Sequence, residues 1–403
     1  MKIAVVTREC GGDRRYGMGR SWSSVATVLE SLGHELHRID GDTLDDIARA
    51  EAQRMQRRLL ERGPSLDAAI AAVLARAWAA GTLAARRVTD DGFAAIDCHD
   101  FMCAAGLRSE AVRRGVELPR WGYHQHSFNA GWRGLDEFYG PLDDGLRKAL
   151  RRLEHRTSGA AGWVIFPAAS AAAQCAADLG LAAARENWTV LRHPVVLPAP
   201  MTRDDARTSL GLSPSAIIVL GVGQFVPLKR FDHLIRALPA LPDACGLWLL
   251  GEGDQASLAE LARRLGVAER VSMQAVDDVG PWLAAADVYV STSQTEAFGM
   301  ANAEAVIAGL PCLIAATGAA KELFAAHALL LEPDLSDLET QLRRVALDPV
   351  VRAELAARTR NFARCLPTAE AAADRLLGLY GGSAQASARA QDGISRLPGR
   401  ARP

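Results

Sequence analysis

Two doubly wound α/β units in tandem are the fold class this sequence predicts. Three observations carry that reading: short apolar runs of strand character recur along the chain, helix-period patterns separate them, and a proline-rich stretch divides them into six and six. In the first half the runs are Ile3–Val6, Glu35–Ile39, Ala94–Asp97, Trp121–His126, Trp163–Phe166 and Thr189–Arg192. In the second half they are Ile217–Gly221, Leu247–Leu250, Val271–Ala275, Val288–Ser291, Pro311–Ala315 and Leu329–Leu331. Between them apolar residues fall three and four apart, as in Trp22–Leu32, Leu234–Leu241 and Leu258–Leu265, the spacing of helices with one buried stripe. Strands alternating with such helices predict parallel sheets covered on both faces.

These runs place a first Rossmann-like domain at 1–196 and a second at 215–350. Residues 197–214 read as the linker, within a stretch that holds four prolines and no sustained periodicity. Between 42 and 88 the chain reads as two long helices broken at Gly63-Pro64, a helical insertion longer than an ordinary crossover. Residues 351–382 continue as helices after the last strand, and 383–403, rich in Ser, Ala, Gly and Arg, read as a disordered tail.

Composition narrows the function. The chain has 403 residues, 49% of them hydrophobic, with 46 Lys+Arg against 47 Asp+Glu, which excludes a mostly disordered protein. A net charge of −1 supplies no field for a polyanion, so nucleic acid is a poor partner. Seven scattered cysteines, an odd number, fit reduced thiols in a cytosolic protein better than a disulfide framework. No secretory signal is visible, and the Ala-rich segments are interrupted by Arg and Asp before they reach the roughly 20 apolar residues of a membrane span. The expectation is a cytoplasmic protein without integral membrane association; its oligomeric state is left open.

The most informative segment runs from Thr295 to Glu304, Thr-Glu-Ala-Phe-Gly-Met-Ala-Asn-Ala-Glu, between the strand ending at Ser291 and a helix ending near Gly309. Gly299 permits close backbone approach, and the amides of Met300 and Ala301 at a helix N-terminus make an anion site suited to phosphate. Glu296 precedes that site and Glu304 follows it one or two turns on. Taken alone, the spacing fits a surface helix with two solvated carboxylates equally well. Upstream, Gly221-Val222-Gly223-Gln224-Phe225-Val226-Pro227-Leu228-Lys229 leaves a strand for a glycine-containing loop. Only four of the basic residues are lysines, so Lys229 in that loop is notable; an ammonium there would offset charge growing on a leaving diphosphate.

In the first half, Asp97-Cys98-His99-Asp100 ends a strand on the side where open α/β sheets bind ligands. His124 and His126, two apart on the next predicted strand, share one face and are candidates to line the same site. Asp13–Arg20 holds three arginines, a tyrosine and two glycines, compatible with an acceptor loop or a solvated one. Cys98, His99 and Cys103 lack the second pair that would complete a tetrahedral metal set, so no metal site is expected. No Gly-x-Ser-x-Gly elbow, Gly-Lys-[Ser/Thr] phosphate loop or Gly-x-Gly-x-x-Gly fingerprint is present, which argues against a hydrolase, a P-loop enzyme and a dehydrogenase.

Glu-x7-Glu enclosing Phe298-Gly299 and followed by Gly309-Leu310-Pro311 resembles the retaining glycosyltransferases of GT-B fold, family GT4 (glycosyl transferases group 1). Leu249-Leu250-Gly251-Glu252-Gly253 and Thr317-Gly318-Ala319-Ala320-Lys321-Glu322 follow the same order. The resemblance implies two Rossmann-like domains facing a central cleft, the first binding acceptor and the second donor, with 351–382 crossing back to the first. It implies transfer of a sugar from a nucleoside-diphosphate sugar (UDP-sugar favoured, GDP- or ADP-sugar possible) to a hydroxyl of a small polar molecule, secondary metabolite or glycan. No metal or other cofactor is required in that scheme. His99, Glu296 and Lys229 become the catalytic candidates, His99 orienting the sugar. Gly223, Gln224, Lys229, Gly299, Met300, Ala301 and Glu304 become donor-binding, with Glu304 on the ribose. Gly11, Gly12, Arg20, His124 and His126 are the acceptor candidates. Gln224 stands where the family has Arg, and Asp97 where it has His. A nucleotide-sugar 2-epimerase and a non-catalytic nucleotide-sugar binder are the alternatives.

Overall fold

The computed structural model describes residues 1–8, 17–197 and 201–382. Gly11, Gly12 and the 383–403 tail lie outside the described residues. The described residues divide into two compact units: 1–8, 22–194 and 367–382 form the first, and 17–21 with 195–197 and 201–366 the second.

The first unit is built on six parallel strands: β1 (Lys2–Val6), β2 (Glu35–Ile39), β3 (Ala95–Cys98), β4 (Arg120–His124), β5 (Trp163–Phe166) and β6 (Trp188–Val190), in the order β2-β1-β3-β4-β5-β6. The chain reverses its direction of growth between β1 and β3, where Val6 lies beside Cys98, and this is the switch point at which such sheets bind ligands. The second unit has β7 (Ile217–Val222), β8 (Cys245–Leu250), β9 (Val271–Gln274), β10 (Val288–Ser291), β11 (Cys312–Ala315) and β12 (Leu329–Leu331). Their order, β12-β11-β10-β7-β8-β9, is that of the dinucleotide-binding folds, and its switch point falls between β7 and β10. The apolar runs of the sequence mark all twelve strands. β4 stops at His124, so Gln125 and His126 lie in the loop beyond it, contrary to the reading of both histidines on one strand.

The helical insertion consists of Asp46–Arg62 and Ala68–Asp91. Asp45 caps the first, accepting from the amide of Ala48, and Gly63 closes it. The second is long and apolar enough, by length and composition, to cross a membrane, which the sequence reading did not anticipate. Here it is a packed core helix, and glycines let it lie tight against the helix Phe101–Arg114. A Cβ on Gly81 would sit 1.9 Å from the Cys103 carbonyl oxygen, and one on Gly106 would sit 2.1 Å from that of Trp78.

Two boundaries differ from expectation. The linker contains a helix, Arg203–Ser209, capped by Thr202 and belonging to the second unit. It forms despite its polar composition because Arg207 is buried, ion-paired to Asp287 at 2.7 Å and bonded to main-chain carbonyls. At the other end, the helix Pro349–Thr359 stays with the second unit, burying Leu355 in its core, so only the chain from Pro367 onward groups with the first. The last helix, Ala369–Gly381, lays Ala372, Ala373, Leu376 and Tyr380 against Ile3, Ile165 and Trp163. Among the described residues the six cysteines form no disulfide, and five of them are buried.

Candidate functional site

The loops leaving β7 and β10 meet at the switch point of the second unit. β7 runs into a 3-10 turn, Pro227–Lys229, and Lys229 donates from Nζ to Glu296 Oε1 at 2.5 Å. Both side chains are about one-fifth exposed, so the pair is reachable from solvent. The lysine stem lies over Gly223, where a Cβ would come within 3.0 Å of Lys229 Cε. A side chain at 223 would press on the lysine stem.

The two loops are stitched together through the main chain. Thr292 Oγ1 donates to the Lys229 carbonyl at 2.7 Å, and the Gln294 amide donates to the Leu228 carbonyl at 2.8 Å. Arg230, held at φ +50°, donates to the carbonyls of Thr292, Ser293 and Pro333 at 2.6, 3.2 and 2.9 Å. Its guanidinium positions the β10 loop and does not take the place of the arginine missing at Gln224, which is exposed. Behind Glu296, Ala319 donates its amide to the Glu296 carbonyl at 2.9 Å and Thr317 Oγ1 donates to Ser293 at 2.7 Å. Gly318, at φ +53°, is forced to be glycine there, since a Cβ would lie 2.3 Å from the Glu296 carbonyl oxygen.

The helix Met300–Ile307 starts at Gly299, φ +78°, with no side-chain cap. The first amides of an α-helix have no intrahelical partner, so those of Met300 and Ala301 present the positive end of this helix beside the Lys229–Glu296 pair's loop. Asn302 is buried and accepts from the Tyr289 hydroxyl at 2.8 Å, while its Nδ2 has no partner among the described residues. Glu304 is 4% exposed. Burial raises its pKa and the guanidinium of Arg20, which groups with this unit, partly offsets that by pairing with it. Arg20, an acceptor candidate by sequence, is thus a partner of the carboxylate expected to hold ribose.

The first unit gathers a second constellation at its own switch point. Asp97, wholly buried near the end of β3, accepts on Oδ2 from the Tyr380 hydroxyl at 2.7 Å and lies 3.0 Å from His124 Nε2. His99 Nε2 is 3.7 Å from the same oxygen, too far for a hydrogen bond. Burial raises the Asp97 pKa, but His124 and His99 more than reverse this and hold it well below the usual carboxylate range. The rings of His99 and His124 stack at 4.5 Å, Trp22 meets His99 edge-on at 4.4 Å, and His126 lies 5.6 Å from both histidines. Burial, reinforced by the neighbouring histidines, pushes His126 well below the ordinary imidazole value and His193 down to about 3. Asp100 caps the next helix through the amide of Met102 and faces Arg8. Cys98 and Cys103 are buried thiols with pKa values pushed up, mainly by burial, and they are poor metal or nucleophile candidates. Asp97, Tyr380 and Trp22 escaped the sequence reading as site residues. Only Asp97 left a signal, as a charged residue inside an apolar run.

Residues 202–364 match the family model of glycosyl transferases group 1. The match lies within the second unit and spans less than half of the chain. The chain shares the GT-B fold with solved glycosyltransferases. Sucrose-phosphate synthase from Thermosynechococcus elongatus superposes with a TM-score of 0.74 over 95% of this chain and 98% of that one, at 17% identity. Anabaena HepE, solved with UDP-glucose, gives 0.70 over 95% and 100%, at 16% identity. In sequence, the D-inositol 3-phosphate glycosyltransferase of Mycolicibacterium gilvum is 40% identical over 137 residues, 31% of each chain. Alignments to it and to other D-inositol 3-phosphate glycosyltransferases cover 27% to 46% of their length, so the chain matches less than half of these relatives.

Proposed function

We propose that the chain transfers a glycosyl group from a nucleoside-diphosphate sugar to a hydroxyl acceptor, with retention at the anomeric carbon. The observation that carries this is the second unit's switch point, where Lys229 and Glu296 meet beside the uncapped helix end at Gly299–Met300. As the bond from the anomeric carbon to the diphosphate breaks, negative charge grows on the leaving oxygen. The Lys229 ammonium and the Met300 and Ala301 amides are the groups that would receive it, and stabilisation there favours the transition state over bound donor. These groups take the part of a cation at the diphosphate, so this step requires no metal or other cofactor. Glu296 then faces the sugar and Glu304 the ribose hydroxyls. The acceptor hydroxyl attacks from the face the diphosphate leaves, its proton passing to the departing phosphate oxygen.

A UDP-sugar is the favoured donor, supported by the UDP-glucose bound to the similarly folded HepE; GDP- and ADP-sugars are the other candidates. The name of the Mycolicibacterium relative adds an inositol phosphate to the small polar acceptors worth testing. One observation favours a second reading, binding without turnover: Gln224 is uncharged and exposed, and Arg230 is committed to carbonyls. The test incubates the purified chain with each nucleotide sugar and an acceptor panel, following free nucleotide and the product's anomeric configuration by NMR. Acceptor-dependent release with retention supports the proposal. Tight donor binding with no release would replace it with the binding role, and an isomerised donor formed without acceptor would make the protein an epimerase.

A further inference from the structure

We propose that Asp97, His99 and His124 form a site for a divalent transition-metal ion of the zinc, cobalt or iron(II) class in the first unit. Asp97 Oδ2, His99 Nε2 and His124 Nε2 all lie within 4.8 Å of one another. A tetrahedral ion with ligands about 2.0–2.2 Å away holds them about 3.3 Å apart. The measured separations from Asp97 Oδ2, 3.0 Å to His124 and 3.7 Å to His99, bracket that value. Because the His99 and His124 rings stack only 19° from parallel, loading would require the rings to tilt toward the shared point.

The surroundings point the same way. Two imidazoles with one carboxylate is a donor set suited to these ions and leaves coordination positions open. His99 Nε2 and Asp97 Oδ1 are buried without a hydrogen-bond partner among the described residues, and Asp97 is wholly inaccessible. An unpaired buried polar atom is costly, and an ion at the shared point would give His99 Nε2 the partner it lacks. Tyr380 donates to the oxygen that would ligate, as the outer-shell partner of a metal-bound carboxylate does. The site would tie β3, β4 and the C-terminal helix together. It lies in the unit opposite to the diphosphate reading and does not depend on it.

The experiment titrates Co2+ into the tag-free, chelator-stripped full chain and follows visible absorption, with bound zinc measured separately by elemental analysis. One Co2+ per chain is expected, with the d–d bands of a low-coordinate ion and no near-ultraviolet thiolate charge-transfer band. Asp97→Asn and His124→Ala should abolish these bands, and Tyr380→Phe should weaken binding about 10-fold or more. If the variants fail to fold, hyperfine-shifted imidazole N–H resonances from two histidines in the Co2+-loaded wild type supply the assignment. Absence of stoichiometric binding overturns the proposal. So does a thiolate band, bands that persist in folded Asp97→Asn, or a loaded wild type with no shifted imidazole signals.

Discussion

In the first unit buried carboxylates collect partners, whereas in the second unit arginines collect main-chain carbonyls. Asp97 takes Tyr380 and His124; Glu154 accepts from the amides of Gly131 and Trp132 at 2.7 and 3.1 Å; Asp178 accepts from Ala130 at 3.0 Å. In the second unit Arg207 donates to Ala285, Ser213, Pro214 and Ala216, Arg270 to Cys245, Leu238, Leu241 and Pro242, and Arg230 to the loop before Glu296. Carboxylates and imidazoles titrate in the accessible pH range and guanidinium does not. The first unit should therefore respond to pH more strongly than the second, where Glu304 is the buried carboxylate whose pKa burial raises.

The largest effects come from removing one hub in each unit. Asp97→Ala strands His124 and Tyr380, and Arg207→Ala removes the buried partner of Asp287, which keeps Arg203 and the Ile218 amide, and strands the carbonyls of Ala285, Ser213, Pro214 and Ala216. Each should cost about 3–5 kcal/mol, as breaking a buried ion pair does, measured by urea denaturation. Hydrogen exchange should locate the loss on β3 and β4 for the first variant and on β7 and β10 for the second. A loss confined to the other unit would break the comparison.

Next in size is the pH response. Burial, only partly offset by the Gly131 and Trp132 amides, raises the Glu154 pKa from 4.5 to about 7. A raised carboxyl pKa means stability fully present below 4.5 and lost as pH rises through about 7. The difference is about 3 kcal/mol, one unit being worth about 1.4 kcal/mol. His193, lowered from 6.5 to about 3, acts oppositely: its contribution is present above 6.5 and lost as pH falls toward 3. The clean measurement is therefore wild type against Glu154→Gln across pH 4–8, where the variant should gain relative stability as pH rises.

A methyl group probes the second unit's close-packed backbone. A Cβ at Gly251 would lie 1.9 Å from the Gly223 carbonyl oxygen, while one at Gly266, φ +67°, meets nothing within 4 Å. Gly251→Ala should fall at or above the upper end of the about 1–3 kcal/mol typical of overpacking. Gly266→Ala should cost about 1 kcal/mol, from its left-handed backbone alone. Thermal melts of the two variants rank them directly. The smallest effect is Thr368→Ala, which removes the cap on the last helix (Ala371 amide to Thr368 Oγ1, 3.2 Å) and should cost about 1 kcal/mol.

The strands were legible because a buried parallel strand must be a continuous apolar run, and each run is bounded by polar or glycine residues. Lys229, Glu296, Gly299 and Glu304 were legible because they sit at strand ends and a helix start, places that local pattern marks. Partners far apart in the chain were not. Tyr380 and Asp97 are separated by 283 residues, and nothing local to either announces the other. The role of Arg230 was hidden because sequence shows a charge and not the carbonyls it serves. The helix Arg203–Ser209 was hidden for the same reason, since its stability rests on Arg207 contacts with residues up to 80 positions away.

The central claim is that the second unit's switch point binds a nucleoside diphosphate through Lys229. Calorimetric titration of UDP, GDP and ADP into wild type and Lys229→Ala tests it most directly. The account predicts that one nucleotide binds wild type and that the variant binds it roughly 10- to 150-fold more weakly, the worth of a charged hydrogen bond. Equal affinity in a folded Lys229→Ala, or no binding of any of the three to wild type, would contradict it.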